Sequence, residues 1–481
     1  MLNKIIKFTC VFLSFCILQA NAITEDEDIH FHIPKLENGI TLSIEDCVAL
    51  AYKNSPKIKR KKYELDIAKS NVKLAQSAYF PIISAGVGFQ YERNTDSVYY
   101  DKKYRDLPNV GVMINKMVWD FGKTTALVNM EKFFQIGAEY EFTDELCHTL
   151  FDIKAKYYNI LKNTAIAELA KKDVELNKEF VKISAKPIDK STAELYLSNA
   201  QTKYINAQGD VDIAMFDLAN AMYLDKNLNF SIKKTPTFKD YKKDENFIPI
   251  AFPFKEQEAV EIAYKNSPDL MVLINTKNAM EQSLKYEKRQ SLPELSTNAG
   301  YNMNDTYDGT NNNFSIGVNL TSDVNLMELK YNIKKASSEL QIADNEIELF
   351  KKDLYYEVLR ALSNVDCYEQ QLSKLREEAD KSDNTMNLVI DKYKNNELDY
   401  TSLQDSRKDY IETRKKYIEC LYNYNMSIIQ TEMAMHYHLV DIHHKAEHAL
   451  HHHSHELIEH LNDALDCNKQ EKKTKNKGKN K

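Results

Sequence analysis

Hydrophobic positions along this chain keep two periods, and the switches between them mark its elements. From Ser43 the apolar residues fall at helical spacing through Val48, Ala51 and Tyr52, with Asp46 three residues after Ser43 as in a capping box. Pro56 interrupts this segment, and it either opens a second helix or kinks the first. A helical pattern continues from Lys57 to about Tyr79. Beyond Pro81 the period drops to two. Ile83, Ala85, Val87, Phe89 and Tyr91 alternate with Ser84, Gly86, Gly88, Gln90 and Glu92, which predicts a strand with one apolar face and one small or polar face. Asn94 to Pro108 reads as a polar loop. Val110, Val112 and Ile114 then share one face of a second strand ending at Trp119.

The same succession occurs again. Ala51-Tyr52-Lys53-Asn54-Ser55-Pro56 returns unchanged as Ala263-Tyr264-Lys265-Asn266-Ser267-Pro268, 212 residues later. Pro81, Ser84 and Gly88 return at that offset as Pro293, Ser296 and Gly300. In the second copy Leu295, Thr297, Ala299, Tyr301 and Met303 alternate with Ser296, Asn298, Gly300, Asn302 and Asn304. Phe314, Ile316, Val318 and Leu320 then alternate with Ser315, Gly317, Asn319 and Thr321. A period this long is no solenoid unit; it is a duplication of a half-chain.

A long helix follows each strand pair. Leu146, Leu150, Ile153, Tyr157 and Ile160 recur at alternating spacings of four and three. From Ile333 through Ala336, Leu340, Ala343, Ile347 and Phe350, and on from Leu354 to Ala379, the spacing averages that of a coiled-coil seam, with one stutter at Leu354–Val358. A helix from about Met327 to Asn395 would be roughly 100 Å long. Breaks at Lys186-Pro187-Ile188-Asp189 and at Asn395 to Asp399 precede returning helices, expected over Thr192 to Met222 and Thr401 to about Leu439. The expected organisation is a signal peptide (1–22), a lead-in (23–40), a first repeat (41–232) with strands near 82–94 and 108–119, and a linker (233–253). A second repeat (254–440) with strands near 294–306 and 312–322 follows, then a His-rich amphipathic tail (441–467) and a basic, disordered tail (468–481).

Composition agrees with long helices. The 481 residues include only 11 Gly and 10 Pro, and Val318 to Lys477 contains neither. Lys4 and Lys7, the apolar run Phe8 to Leu18 and Ala20-Asn21-Ala22 form a secretory signal with its cleavage site. No later segment reaches the roughly 18–20 apolar residues of a membrane-spanning helix. Five cysteines remain after the signal (Cys47, Cys147, Cys367, Cys420 and Cys467), with no C-x-x-C pair, so neither a disulfide framework nor a zinc site is expected. A net charge of −7 gives no general case for nucleic acid as a partner. No phosphate-binding loop, nucleophile elbow or paired-carboxylate motif points to an enzyme.

Strands of about ten residues with one apolar and one uncharged polar face have the length of tilted membrane strands. Four strands cannot close a barrel, and open edges are excluded from lipid. Two chains would supply eight strands and three would supply twelve. The chain resembles the TolC family of outer-membrane efflux and secretion channels. The resemblance rests on the signal peptide, the doubled helix openings at Cys47 to Pro56 and Ala259 to Pro268, and the helix–Pro–strand junctions at Pro81 and Pro293. It also rests on Trp119-Asp120-Phe121-Gly122-Lys123 and on the break over Tyr393 to Asp405. It covers about Leu42 to Leu439. It implies a mainly α fold with membrane β: long antiparallel coiled-coil helices forming a periplasmic α-barrel, and four strands per chain contributing to a shared transmembrane barrel of twelve in a homotrimer. It further implies docking through a periplasmic adaptor onto an inner-membrane transporter of the RND, ABC or MFS type. The cargo would be small molecules such as drugs, toxic compounds or metal ions, or else proteins. The competing expectation is a periplasmic coiled-coil structural or adaptor protein without a membrane barrel.

The resemblance places a closing iris at Tyr393, Leu398, Ser402 and Asp405. Tyr393 and Asp405 keep the residue types of the family. Leu398 stands where a basic residue is expected, Ser402 where Asp is, and Asn396 where Gly is, so Asp399 or Glu397 would supply the missing carboxylate. Asp405 reads equally as a solvated helix charge. Ten of the 13 His lie between His436 and His460, and His444, His448, His452 and His455 share one helical face. They form either a solvated, pH-sensitive face or a site for Zn or Cu, since His at i and i+4 can share a divalent metal. No other cofactor is expected.

Overall fold

The computed structural model describes residues 39–93, 104–224, 230–233, 254–306 and 309–437. The signal peptide, most of the linker and both tails fall outside the described residues, and so do His444, His448, His452 and His455. In chain order the elements are β1 (Ile40–Leu42), α1 (Ile44–Asn54), α2 (Pro56–Ser77), β2 (Ile82–Arg93), β3 (Tyr104–Trp119), α3 (Lys123–Ile183) and α4 (Pro187–Ala221). There follow β4 (Phe230–Ile232), α5 (Glu256–Asn266), α6 (Pro268–Arg289), β5 (Glu294–Thr306), β6 (Gly309–Thr321), α7 (Leu326–Lys394) and α8 (Tyr400–Met435).

The duplicated hexapeptide is a helix–helix junction. Ser55 closes α1 and caps α2, its Oγ accepting from the Ile58 amide at 3.4 Å, and Ser267 repeats this with Leu270 at 3.3 Å. Pro56 and Pro268 occupy the first turn of the second helix, where a missing N–H is harmless. Each Pro therefore opens a new helix rather than bending one. The two copies have the same lengths, 11 and 22 residues. Upstream, Ser43 and Asp46 form a complete capping box.

Beyond each Ser-Pro junction the chain enters one antiparallel sheet of order β2-β3-β5-β6. The strands run 12, 16, 13 and 13 residues. The second begins at Tyr104 rather than near 108, and the fourth at Gly309 rather than near 312. The far ends hold polar residues that carry no alternating signal, yet their backbones continue the ladder, with Arg93 opposite Tyr104 and Thr306 opposite Gly309. A register shift between Met117 and Trp119 precedes the last β3–β5 pair, Trp119 with Leu295. A separate parallel pair, β1 with β4, joins the start of the first repeat to its end. Three residues per strand are too few to show a period.

The helices pack as long antiparallel pairs. α3 lies against α4, α6 and α2, and α7 lies against α8 and α6. At about 1.5 Å per residue, α3 and α7 run roughly 90 and 100 Å. α4 buries Ala193, Ala200, Ala207 and Ala214, one every seventh residue, which lets its backbone approach α3 closely. α7 buries Ala336, Ala343, Ile347, Leu354, Val358, Ala361, Val365, Leu372 and Ala379 along the expected seam. α8 buries Tyr400, Leu403, Arg407, Tyr410, Arg414, Tyr417, Leu421 and Tyr424 at strict alternation of three and four. α4 starts at Pro187, inside the expected break, whereas α8 starts at Tyr400, directly after the expected break of Asn395 to Asp399. α8 ends at Met435, where His436 adopts φ 46° and closes the helix. None of the described helices is long and apolar enough to cross a membrane.

Candidate functional site

Two regions carry unusual chemistry: the four-stranded sheet and the ends of the coils near Tyr393. One face of the sheet is apolar and bare. Val87, Phe89 and Ile316 are 73, 74 and 74% exposed, and Ile83, Val112, Ile114, Tyr301, Phe314, Val318 and Leu320 are exposed beside them. Burying such a side chain is worth roughly 1.5–3 kcal/mol, so leaving ten in water would cost more than the net stability of an ordinary domain. Among the described residues the outer edges of β2 and β6 are also unpaired. An apolar face next to open edges has the makeup of membrane strands awaiting neighbours. At the base of the sheet Trp119 and Phe121 meet edge to face at 6.0 Å, and Tyr79 and Phe80 are exposed just before β2, the Tyr79 hydroxyl 3.0 Å from Thr125 Oγ1. Aromatic rings of this kind belong at a membrane–water boundary.

The passage from β3 into α3 is made by Asp120. Its carboxylate accepts from the Gly122 amide at 2.9 Å and the Thr124 amide at 2.5 Å. Burial alone would raise this carboxyl, but the hydrogen bonds from Thr124 and Gly122 prevail and hold it below its usual range. Gly122 takes φ 85°, which favours glycine, and its carbonyl accepts from Arg289 Nη1 at 2.7 Å. The end of α6 is thereby tied to the start of α3.

At the far end, α7 stops at Lys394 in a tight turn. The Glu397 amide donates to the Lys392 carbonyl at 2.9 Å and the Asn396 amide to the Tyr393 carbonyl at 3.0 Å. Asn396 has φ 61°, a conformation that Asn tolerates, which explains how it stands where Gly was expected. Asp399 caps α8 by accepting from the Ser402 amide at 3.0 Å, and the Ser402 hydrogen bond lowers its carboxyl pKa. Asp405 is exposed on the next turn. Tyr393 is buried with Phe180, Ala193, Met386, Ile390, Tyr400, Leu403 and Tyr410, a cluster that joins α3 and α4 to α7 and α8. Its hydroxyl lies 3.4 Å from Ser184 Oγ. The Ser184 hydroxyl donates to the Phe180 carbonyl at 2.7 Å, so Tyr393 is the donor to Ser184. Among the described residues no hydrogen bond or ion pair joins Tyr393 to Asp405. Of the expected gate residues, Ser402 is therefore brought together with the substitute carboxylate Asp399, while Tyr393 engages Ser184 instead.

A buried polar chain lies behind this turn. Gln404 Nε2 donates to the Tyr400 hydroxyl at 2.5 Å, and Arg407 Nε donates to Gln404 Oε1 at 2.8 Å. Arg407 Nη1 reaches Asp173 Oδ1 on α3 at 2.5 Å, where Asn177 Nδ2 also donates at 3.1 Å. The Arg407 guanidinium sits 5.4 Å from the Tyr196 ring centre on α4. Burial pushes the Tyr400 hydroxyl up to about 12. Two further contacts join α3 to α8 and its cap: the buried ion pair of Lys154 with Glu432 at 3.7 Å, and His436 Nε2 with Asp144 Oδ1 at 3.4 Å. Arg414 pairs with Asp383 on α7, within the coil. None of these residues was a sequence-level candidate. The available signal was Arg at two seam positions of α8, where an apolar residue is expected. Among the described residues no cluster of His, Cys, Asp or Glu is arranged to hold a metal.

No family model matches the chain. Among curated proteins it is similar to the outer membrane efflux protein BepC of Brucella suis, with 22% identity over 275 residues, 56% of this chain and 57% of that protein. The match thus spans little more than half of that relative. Among solved structures it is similar to CusC at a TM-score of 0.69 and 13% identity, covering 84% of this chain and 98% of that one. It is also similar to the CmeC outer membrane channel of Campylobacter jejuni at 0.67 and 15%, covering 86% and 90%. A third likeness is to the open state of the MtrE outer membrane channel of Neisseria gonorrhoeae, at 0.68 and 12%, covering 86% and 96%. The chain has the fold of the TolC-type outer-membrane channels that its sequence resembles.

Proposed function

We propose that this chain is one subunit of a trimeric outer-membrane export channel. Three copies each contribute four strands to a barrel of twelve and two helical pairs to a tunnel through the periplasm. The observation that carries this reading is the open sheet with its bare apolar face, continuous with helices of roughly 90–100 Å. A sheet of this kind is stable only in lipid and only when its edges are shared. Exposed Leu195, Ile205, Ile213 and Phe216 on α4 supply apolar surface for neighbouring copies. The tunnel receives small molecules or proteins from an inner-membrane transporter through a periplasmic adaptor. The turn at Tyr393 to Asp405 is the end that closes.

Membrane fractionation tests the proposal. The expected result is a heat-modifiable trimer in outer-membrane fractions that conducts in planar bilayers. Release with the soluble periplasm would favour a coiled-coil structural or adaptor protein and overturn the channel reading. The histidine tail is a second, separable proposal: His444, His448, His452 and His455 bind Zn or Cu, consistent with their shared helical face.

A further inference from the structure

The polar face of the sheet has a construction that the channel reading does not require. Gly88 lies directly opposite Asn109, Gly111 opposite Asn302 and Gly317 opposite Asn298. At all three, a Cβ on the glycine would collide with the carboxamide oxygen of that Asn; at Gly317 the approach to Asn298 Oδ1 would be 2.5 Å. The three Asn side chains therefore lie flat across the neighbouring strand instead of standing out from the sheet. Asn319 Nδ2 donates to Asn298 Oδ1 at 3.1 Å and extends the layer onto β6. Gly86, on the same face and opposite Gly111, has open space where its Cβ would be. Asn115, Asn311, Asn313, Ser84, Ser296 and Ser315 occupy the same face by alternation. Ile82, Met113 and Met117 share the face, and its charged positions are Glu294 at the base and Glu92 opposite Arg105 at the far end, two opposite charges in register.

We infer that the inner wall of the barrel is paved with neutral carboxamides folded over glycines, and that this wall admits cargo of either charge sign. The inference rests on the channel reading, which makes this face the lumen. A carboxamide hydrogen-bonds in both directions and carries no net charge, so it wets the wall without steering ions. Lumen walls bearing charged side chains instead focus the field and concentrate one sign of solute. Folding each Asn over a Gly also keeps the wall low, which widens the passage. Asn109, Asn298, Asn302 and Asn319 are the residues that set this selectivity.

The test uses the assembled protein in liposomes, with Asn302→Cys and, as a second position on the same face, Ser315→Cys. Cationic and anionic methanethiosulfonates are compared, and the site of labelling is located by mass spectrometry. The expected rates for the two reagents, corrected for their rates with a free thiol, differ by less than about threefold, whereas a field-focusing wall would separate them by roughly tenfold or more. Adding Asn298→Asp should favour the cationic reagent. A strong preference without Asn298→Asp overturns the inference and leaves the channel intact. Labelling of the Ile316→Cys variant, with none of the Asn302→Cys or Ser315→Cys variants, inverts the two faces and overturns the channel reading itself. Packing is tested separately: Gly111→Ala should reduce the heat-stable trimer, Asn302→Ala should restore it, and Gly86→Ala should leave it unchanged. Equal behaviour of Gly111→Ala and Gly86→Ala would refute the Asn-over-Gly arrangement.

Discussion

Arg407→Ala is the most informative perturbation of the end proposed to close. Asp173 is 4% exposed and Arg407 9%, so the pair is desolvated on both sides. Removing the guanidinium leaves the Asp173 carboxylate with Asn177 Nδ2 as its side-chain donor, at 3.1 Å, in a site closed to water. Breaking a buried pair from one side costs about 3–5 kcal/mol, because the remaining charge is uncompensated. Replacing both partners with apolar residues of similar volume, Asp173→Leu with Arg407→Met, removes that penalty and should be near neutral. The two changes separate packing from tethering. Both release α8 from α3, so both should raise conductance in planar bilayers, while only the single variant should lower the trimer's melting temperature. Arg414→Ala provides the control. Arg414 pairs with Asp383 on α7 inside one coil, so its loss should destabilise without opening the end of the tunnel. Equal destabilisation by the single and double changes would refute the electrostatic reasoning. Opening by Arg414→Ala as large as that by Arg407→Ala would refute the assignment of the tether to the α3–α8 boundary.

Other outcomes follow from the same geometry. Tyr393→Phe with Asp405→Ala should raise conductance or the uptake of large antibiotics, since Tyr393 donates to Ser184 across the two coils; unchanged conductance would sink this placement of the gate. Burial lowers His436 to about 4, against the raising effect of Asp144 and reinforced by His148. A depressed His is neutral when folded, so its stability is full above the ordinary value near 6.5 and is lost as pH falls toward about 4; at pH 5 the loss is about 2 kcal/mol. His148 works in the opposite direction, raised by its hydrogen bond to Asp144, and Asp269 is raised by burial and by Asp144, so the readout is the difference between native protein and His436→Gln in thermal melts at pH 7 and pH 5. An identical acid loss in both would contradict the burial argument. Calorimetry with Zn or Cu should give micromolar affinity that vanishes on truncation after Leu439; heats at background in the full chain would end the metal proposal for the tail.

What the amino-acid pattern made legible, and what it hid, divides along a physical line. Period-two alternation located all four strands because one face is apolar throughout, and a seam averaging three and a half residues located α7 because Ala, Leu and Val repeat along it. Both signals come from burial of apolar side chains, in lipid or in a coil. The strand ends at Tyr104 and Gly309 were hidden because backbone pairing continues there without an apolar face to announce it. The polar chain behind the turn at Tyr393 to Asp405 was hidden for a related reason. Its binding groups are polar residues at seam positions, and a pattern of apolar spacing skips Arg407 and Arg414 as gaps. α8 reads differently once those gaps are counted. Tyr400, Leu403, Arg407, Tyr410, Arg414, Tyr417, Leu421 and Tyr424 form an unbroken seam in which two charges sit where a coiled coil would place Leu. An apolar residue at both positions would hold α8 without direction. Arg407 instead reaches α3 and Arg414 reaches α7, so the same seam binds one helix to its own coil and to the neighbouring one. Of the two arginines, Arg407 alone bridges separate coils, so in the proposed closure its contact is the one of the pair that has to break.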